Sequence, residues 1–215
     1  MKLFRYENFI KESKEDIDSI CKKFGIKNYT INEDSTIDVD GDVDLDRNRL
    51  TKLPLKFRNV SGDFSCFNQL TSLSGAPLSV GRDFSCNLNK LISLEGSPLS
   101  VGGNFYCDNN QLKSLSGISG RISGGIYCQN NQLRDVKGVK DGWLGEFNVY
   151  GNPVHEIFKL FPKDKWDEVI EILNEYEVIR DNGNLVILQR LEQVFLDIGL
   201  EVPEIEEIKG YKIHF

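Results

Sequence analysis

Six asparagines, Asn48, Asn68, Asn89, Asn110, Asn131 and Asn152, stand 20, 21, 21, 21 and 21 residues apart. A period held over five intervals is the mark of one supersecondary unit repeated along the chain, and it governs every other feature. Other columns keep the same register. Two positions after the first five asparagines come Leu50, Leu70, Leu91, Leu112 and Leu133. Five positions after them come Leu53, Leu73, Leu94, Leu115 and Val136. Gly75, Gly96, Gly117 and Gly138 follow, with Pro77 and Pro98 behind the first two, and then Val60, Val80, Val101, Ile122 and Trp143 form an apolar column. Last in each unit is an alternating apolar pair: Val43/Leu45, Phe64/Cys66, Phe84/Cys86, Phe105/Cys107, Ile126/Cys128 and Phe147/Val149.

Alternation with a period of two puts the pair on one face of a strand and its neighbours on the other. One such strand per unit, centred near residues 44, 65, 85, 106, 127 and 148, predicts parallel strands stacked in sequence order as a single sheet. An asparagine where the chain leaves the strand can turn inward, its amide serving backbone donors and acceptors alike. Glycine and proline fit a tight, extended return path, and about twenty residues leave little room for a helix there. No unit can bury its apolar face alone, so neighbours and terminal caps must cover it.

These columns resemble the leucine-rich repeat, L-x-x-L-x-L-x-x-N-x-L, with Phe, Ile and Cys replacing leucines in the strand. More closely, units such as "LTSLSGAPLSVGRDFSCNLNKL" are similar to those of short leucine-rich-repeat-like proteins encoded by tailed bacteriophages. The leader "KLFRYENF", the segment "NYTINEDSTIDVDGDVDL" and the exit "FNVYGNPVHEIFKLF" extend the resemblance over most of the chain. It implies a solenoid fold and a phage origin, and supplies no active site. In one departure, Cys66 precedes Asn68 by two residues where the other units have three.

The expected fold is α+β: a leucine-rich-repeat-like parallel β solenoid of about six coils over 41–152, with a folded cap at each end. In the N-terminal cap, 1–40, residues 7–24 read as an amphipathic helix carrying Phe9, Ile10, Ile17, Ile20, Cys21 and Phe24, with Gly25 as its stop. "NYTI" and "TIDV" around "NEDS" read as a hairpin. In the C-terminal cap, 153–215, Ile157, Leu160, Trp166, Val169, Ile170 and Leu173 form a helical stripe. A hairpin about Asn182-Gly183, a helix near 188–198 and a final strand "YKIHF" follow.

Charge restricts the partners. The chain's net charge of −7 divides as −2 over 1–40, +2 over 41–152 and −7 over 153–215. With no strongly basic region to neutralise phosphates, nucleic acid is not expected; a protein partner is, and the charge leaves room for a basic one. No apolar run reaches membrane-span length and no export signal stands at the start, so the expected location is cytoplasmic, within the host bacterium if phage-encoded.

Catalytic and metal chemistry finds no support. Cys66, Cys86, Cys107 and Cys128 occupy one inward column, and equivalent sites in a solenoid form a line rather than converging on a metal. They are expected to be packing thiols. The run "DSTIDVDGDVDLD" fails as an EF-hand, because Gly41 at position 6 leaves Thr36 at position 1 and Arg47 at position 12. His155 and His214 lack spaced partners, and Cys21 reads as a buried helix-face residue despite the adjacent Lys22 and Lys23. No P-loop or GxGxxG occurs. No cofactor is expected.

The outward strand positions carry the functional signal, because side chains from successive coils project onto one surface. They form three columns: Asp42, Asp63, Asp83, Asn104, Gly125 and Glu146; then Asp44, Ser65, Ser85, Tyr106, Tyr127 and Asn148; then Asp46, Phe67, Asn87, Asp108, Gln129 and Tyr150. The candidate partner-binding residues are Asp44, Asp46, Asp63, Phe67, Asp83, Tyr106, Asp108, Tyr127, Glu146, Asn148 and Tyr150. The three tyrosines are expected to form one exposed aromatic strip bordered by Asp108 and Glu146. Aromatic residues anchor interfaces, and surrounding acid steers basic partners. The expected function is a non-catalytic protein–protein interaction module acting on a host or phage protein inside the bacterium, for example inhibiting a defence or metabolic protein. A virion-associated structural protein is the alternative, and an enzyme activity in the C-terminal part comes third.

Overall fold

A computed structural model describes residues 16–118, 120–139, 143 and 145–215. The expected strands are present as β3 (Val43–Asp44), β5 (Phe64–Ser65), β7 (Phe84–Ser85), β9 (Phe105–Tyr106), β11 (Ile126–Tyr127) and β12 (Phe147–Asn148). All neighbours among them pair in parallel and in chain order. The register places Phe64, Phe84, Phe105, Ile126 and Phe147 one above another. Phe64 and Phe84 stack with ring centroids 5.7 Å apart, and Phe105 meets Phe84 at 5.2 Å with its plane tilted by 40°. The inward pairs are buried in every coil, so the solenoid core is a stack of equivalent layers.

The expectation of a single sheet is corrected. The return segments form a second sheet from β2 (Ile37–Val39), β4 (Phe57–Val60), β6 (Ser79–Val80), β8 (Ser100–Val101) and β10 (Arg121–Ile122), parallel throughout. Once coils stack in register, an extended return segment meets its own copy in the next coil, and its N–H and C=O groups pair with that copy. Val60, Val80 and Val101 point into the core from this side. The result is a parallel β-solenoid of about five turns with two strands per turn.

Asparagine joins the turns. Asn68, Asn89, Asn110, Asn131 and Asn152 are buried at 5–8% exposure. Each donates its Nδ2 to a carbonyl of the preceding coil: Leu45, Cys66, Cys86, Cys107 and Cys128 in order, at 2.7–3.0 Å. Each Oδ1 accepts the N–H of Leu50, Leu70, Leu91, Leu112 or Leu133 at 2.8–3.2 Å. The glycine column is equally forced: all four members have positive φ, and a Cβ on Gly138 (φ 109°) would lie 2.2 Å from the Leu115 carbonyl oxygen.

The shortened coil lacks one particular residue. Before the repeat asparagine the other coils place a left-handed residue, Arg47, Leu88, Asn109, Asn130 or Gly151, with φ of 52–73°. The coil of Cys66, Phe67 and Asn68 has none. Leucine suits that conformation poorly, and Leu88 is 42% exposed, whereas Asn130 Nδ2 donates to Asn109 Oδ1 at 3.3 Å. Leu88→Asn should therefore raise stability by about 1 kcal/mol, read as a higher urea midpoint at unchanged slope. A lowered midpoint would show that Leu88 contributes packing that outweighs its backbone strain.

The cysteines pack as small hydrophobes. Cys66, Cys86, Cys107 and Cys128 have no exposed surface, and burial pushes all four thiols well above their ordinary range. Cys66 and Cys128 donate Sγ–H to the Ser85 and Asn148 carbonyls at 3.3 Å. Cys107→Ala should cost about 1 kcal/mol or more through lost packing. Native-state alkylation of these thiols should be slow, and rapid labelling without unfolding would contradict their burial.

At the N-terminal end, residues 16–23 are helical (α1), with Ile17 and Cys21 buried. Phe9, Ile10 and the leader "KLFRYENF" lie outside the described residues. The hairpin pairs β1 (Tyr29–Ile31) antiparallel with β2 and joins the return sheet. Beyond Asn152 come α2 (His155–Phe158), a 3-10 turn at Lys163–Lys165, α3 (Trp166–Glu175), β13 (Ile179–Arg180), β14 (Leu185–Ile187), α4 (Leu188–Asp197) and β15 (Lys212–His214). β13 and β14 form the hairpin about Asn182-Gly183, and β15 adds to β14 in parallel. This part shares one apolar core with the solenoid. Arg134 also ties the two, donating to the Gly183 and Gly210 carbonyls while its own carbonyl accepts the Tyr211 hydroxyl.

Candidate functional site

The outer face of the β3–β12 sheet divides into an acidic half, most of whose carboxylates bond neighbouring coils, and an aromatic half whose rings are held by side-chain hydrogen bonds. In the first column the Oδ1 of Asp42, Asp63, Asp83 and Asn104 each accepts the N–H of Asp63, Asp83, Asn104 and Gly125, one coil on, at 2.7–2.9 Å. Asp63 and Asp83 are therefore rungs of a second ladder and are half-buried. Asp46 Oδ1 likewise accepts the Ser65 hydroxyl at 2.7 Å and the Phe67 N–H at 2.6 Å. Asp44 is exposed, accepting the N–H of Asp46. Phe67 is half-buried. Asp108 has 8% exposure and its Oδ2 accepts from Asn109 Nδ2, so it does not border an exposed strip.

The ladder stops at Gly125, and the aromatic site begins there. Tyr106 and Tyr127 stack at 4.8 Å with planes 17° apart. A Cβ on Gly125 would come within 2.8 Å of Tyr127 Cε2, so the missing side chain is what lets the ring lie across the first column. From there the Tyr127 hydroxyl donates to Glu146 Oε2 at 2.8 Å, and Asn104 Nδ2 donates to the Tyr106 hydroxyl at 3.1 Å. The Glu146 carboxylate raises the Tyr127 phenol to about 12, because it accepts the phenolic proton. Both rings are half-buried and fixed at both ends.

The expected strip of three tyrosines is corrected to a pair. Tyr150, 66% exposed, sits one column over and packs edge-on against His155 at 5.4 Å. Its own coil places Asn148 in the tyrosine column, where the Oδ1 accepts the Tyr150 N–H at 3.3 Å. His155 in turn meets the Trp166 ring at 6.1 Å, and burial lowers its pKa.

Glu146 also opens onto a cleft the sequence columns did not show. About 250 Å³ in volume, it is lined by Trp143, Gly145, Glu146 and Phe147 of the last coil and by Lys163, Asp164, Trp166, Asp167 and Ile170. Proline after the last asparagine ends the repeat and swings the chain back, which brings the start of α3 against the coil. A larger cleft of about 480 Å³ between α3 and α4 is lined by Glu175, Tyr176, Glu177, Gln189, Arg190 and Gln193. Several of its polar groups are already engaged: Arg190 donates to the Tyr176 and Glu177 carbonyls, and the Tyr176 hydroxyl to Asp197.

Cys21 shows the electrostatics opposite to those of a nucleophile, since burial and then Asp18 raise its thiol to about 11. Among the described residues no three His, Cys, Asp or Glu side chains gather into a metal-binding group, and no helix is long and apolar enough to cross a membrane. Comparison of the chain with protein-family models, curated proteins and solved structures gives no match.

Proposed function

We propose that the protein is a non-catalytic interaction module that binds another protein through the tyrosine-bearing half of its β3–β12 sheet. The observation that carries this reading is the Tyr106–Tyr127 stack, solvent-facing yet locked by hydrogen bonds at both hydroxyls. A flat aromatic surface already held in place loses little side-chain entropy on binding, which is why such groups anchor interfaces. The exposed carboxylates of Asp44 and Glu146 favour a basic partner. In this reading the solenoid is of the phage leucine-rich-repeat-like kind, with α1 and the β1–β2 hairpin capping one end and residues 153–215 the other. It acts inside the bacterium on a host or phage protein.

The test is parallel capture from bacterial lysate, with and without phage infection, using the wild-type chain and a Tyr127→Ala chain as baits. A protein retained by the first and lost from the second supports the assignment. Equal recovery of every species by both baits overturns it.

A further inference from the structure

We infer that the cleft between the last coil and the start of α3 is a receptor for one lysine or arginine side chain of the partner protein. This rests on the interaction-module reading and goes further, naming the chemistry of one anchor. At about 250 Å³ the cleft lies below the range typical of drug-sized ligands, and suits a single long side chain.

Its walls are aromatic and its charge is acidic. Both tryptophans of the chain stand there, Trp143 and Trp166. Their indole N–H groups are spent on backbone carbonyls, Trp143 on Gly124 at 3.1 Å and Trp166 on Phe161 at 3.3 Å, which fixes the rings. Trp143 lies against Gly145, where a Cβ would come within 2.5 Å of its Cζ2. Indole is the strongest aromatic partner for a cation. Three carboxylates, Glu146, Asp164 and Asp167, share the cleft with one ammonium, Lys163. The Lys163 Nζ stands 3.9 Å from Glu146 Oε1 with its side chain 73% exposed, a loose surface pair that an incoming cation can displace.

Glu146 makes the cleft continuous with the proposed binding face. One of its oxygens accepts the Tyr127 hydroxyl while the other faces Lys163. A partner segment crossing the tyrosine stack thus carries its next basic side chain directly to the cleft.

Because the chain has no tryptophan elsewhere, indole emission and indole N–H resonances report this cleft alone. The probe is a capped Gly-Arg-Gly peptide, compared with its citrulline counterpart, which keeps the shape and removes the charge. The arginine peptide should give a saturable response with a Kd on the order of 1 mM, weakening with salt, and the citrulline peptide none. Asp164→Asn with Asp167→Asn, both at exposed positions, should weaken it about tenfold. Lys163→Ala should tighten it several-fold by removing the resident cation, a gain that misfolding cannot mimic. Equal responses to both peptides, no saturation, or indifference to these substitutions overturns the inference. Should the cleft fail while Tyr127→Ala still abolishes capture of a partner, the tyrosine face stands without it. If the arginine peptide binds as described but Tyr127→Ala changes no capture, the cleft stands and the tyrosine face falls.

Discussion

Asn110→Ala should lower unfolding free energy by about 3 kcal/mol, although it removes no charge and little apolar surface. The Asn110 Oδ1 is the acceptor for the Leu91 N–H at 2.9 Å, in the return path of the preceding coil. Its Nδ2 is shared among the carbonyls of Cys86 at 3.0 Å, Cys107 at 3.1 Å and Asp108 at 3.3 Å. Truncation leaves the Leu91 N–H buried without that acceptor, costing about 1–3 kcal/mol, and the lost donor bonds and void add to it. The position matters as much as the bonds. Asn110 lies mid-stack, and in a solenoid each coil is held only by its neighbours, so one broken contact weakens the array on both sides. Asn48→Ala is the control. That residue is exposed, and among the described residues its Nδ2 bonds carbonyls of its own turn, Leu45 and Asp46, so its loss should cost under about 1 kcal/mol. Urea denaturation followed by circular dichroism measures both, and equal small losses would show that the buried ladder is not what holds the coils together.

The same ladder explains why so much of the fold can be read from the chain. An inward asparagine serving fixed backbone groups tolerates no drift, so its spacing survives as a visible period, and the paired inward positions around Phe84/Cys86 follow from it. The return sheet left a fainter trace. Val60, Val80, Val101, Ile122 and Trp143 form one apolar column, but the positions two residues before them, such as the exposed Leu78 and Leu99, do not turn inward, so the alternating pair that marks a strand at Phe84/Cys86 is missing. The outward columns were legible as columns but not as partners. Asp63 and Asp83 stand at positions also held by Asn104, and the interchange of carboxylate and amide in one column is the mark of an oxygen that accepts an N–H. Gly125 broke that column, yet its meaning depends on where the Tyr127 ring leans, which only the packed neighbours decide. Tyr150 stands in the next column, beside Asn148 rather than in line with Tyr127, so the register already separates it from the pair, and its contact with His155 lies outside the repeat. The cleft joins residues 143–147 to 163–170 across the exit turn, and no periodic pattern spans that junction.

For the second large effect, Tyr127→Ala should weaken partner binding by about 1–3 kcal/mol, close to tenfold to a hundredfold, while the fold survives. The stability cost should stay near 1 kcal/mol, since the ring is half-buried and its losses are one stacking contact and one exposed hydrogen bond to Glu146. Tyr127→Phe separates the two contributions. It keeps the stack on Tyr106 and releases the Glu146 carboxylate, so a nearly unchanged affinity assigns the anchor to the ring face. Gly125→Ala approaches the same site from beneath, crowding both the Tyr127 ring at 2.8 Å and the Glu146 carbonyl oxygen at 2.9 Å, and should weaken binding in the same direction at some cost in stability. Charge steering is best tested at Asp44, whose carboxylate accepts a local N–H and no other bond among the described residues, because reversal at Asp46 would also break its bonds to Ser65 and Phe67. Asp44→Lys should slow association with a basic partner, and the difference should shrink as salt rises past the screening length of about 10 Å at 0.1 M. Titration calorimetry gives the affinities and stopped-flow mixing the association rates. Wild-type affinity in both Tyr127→Ala and Gly125→Ala would move the binding surface off this sheet altogether, leaving the stack as a brace between coils.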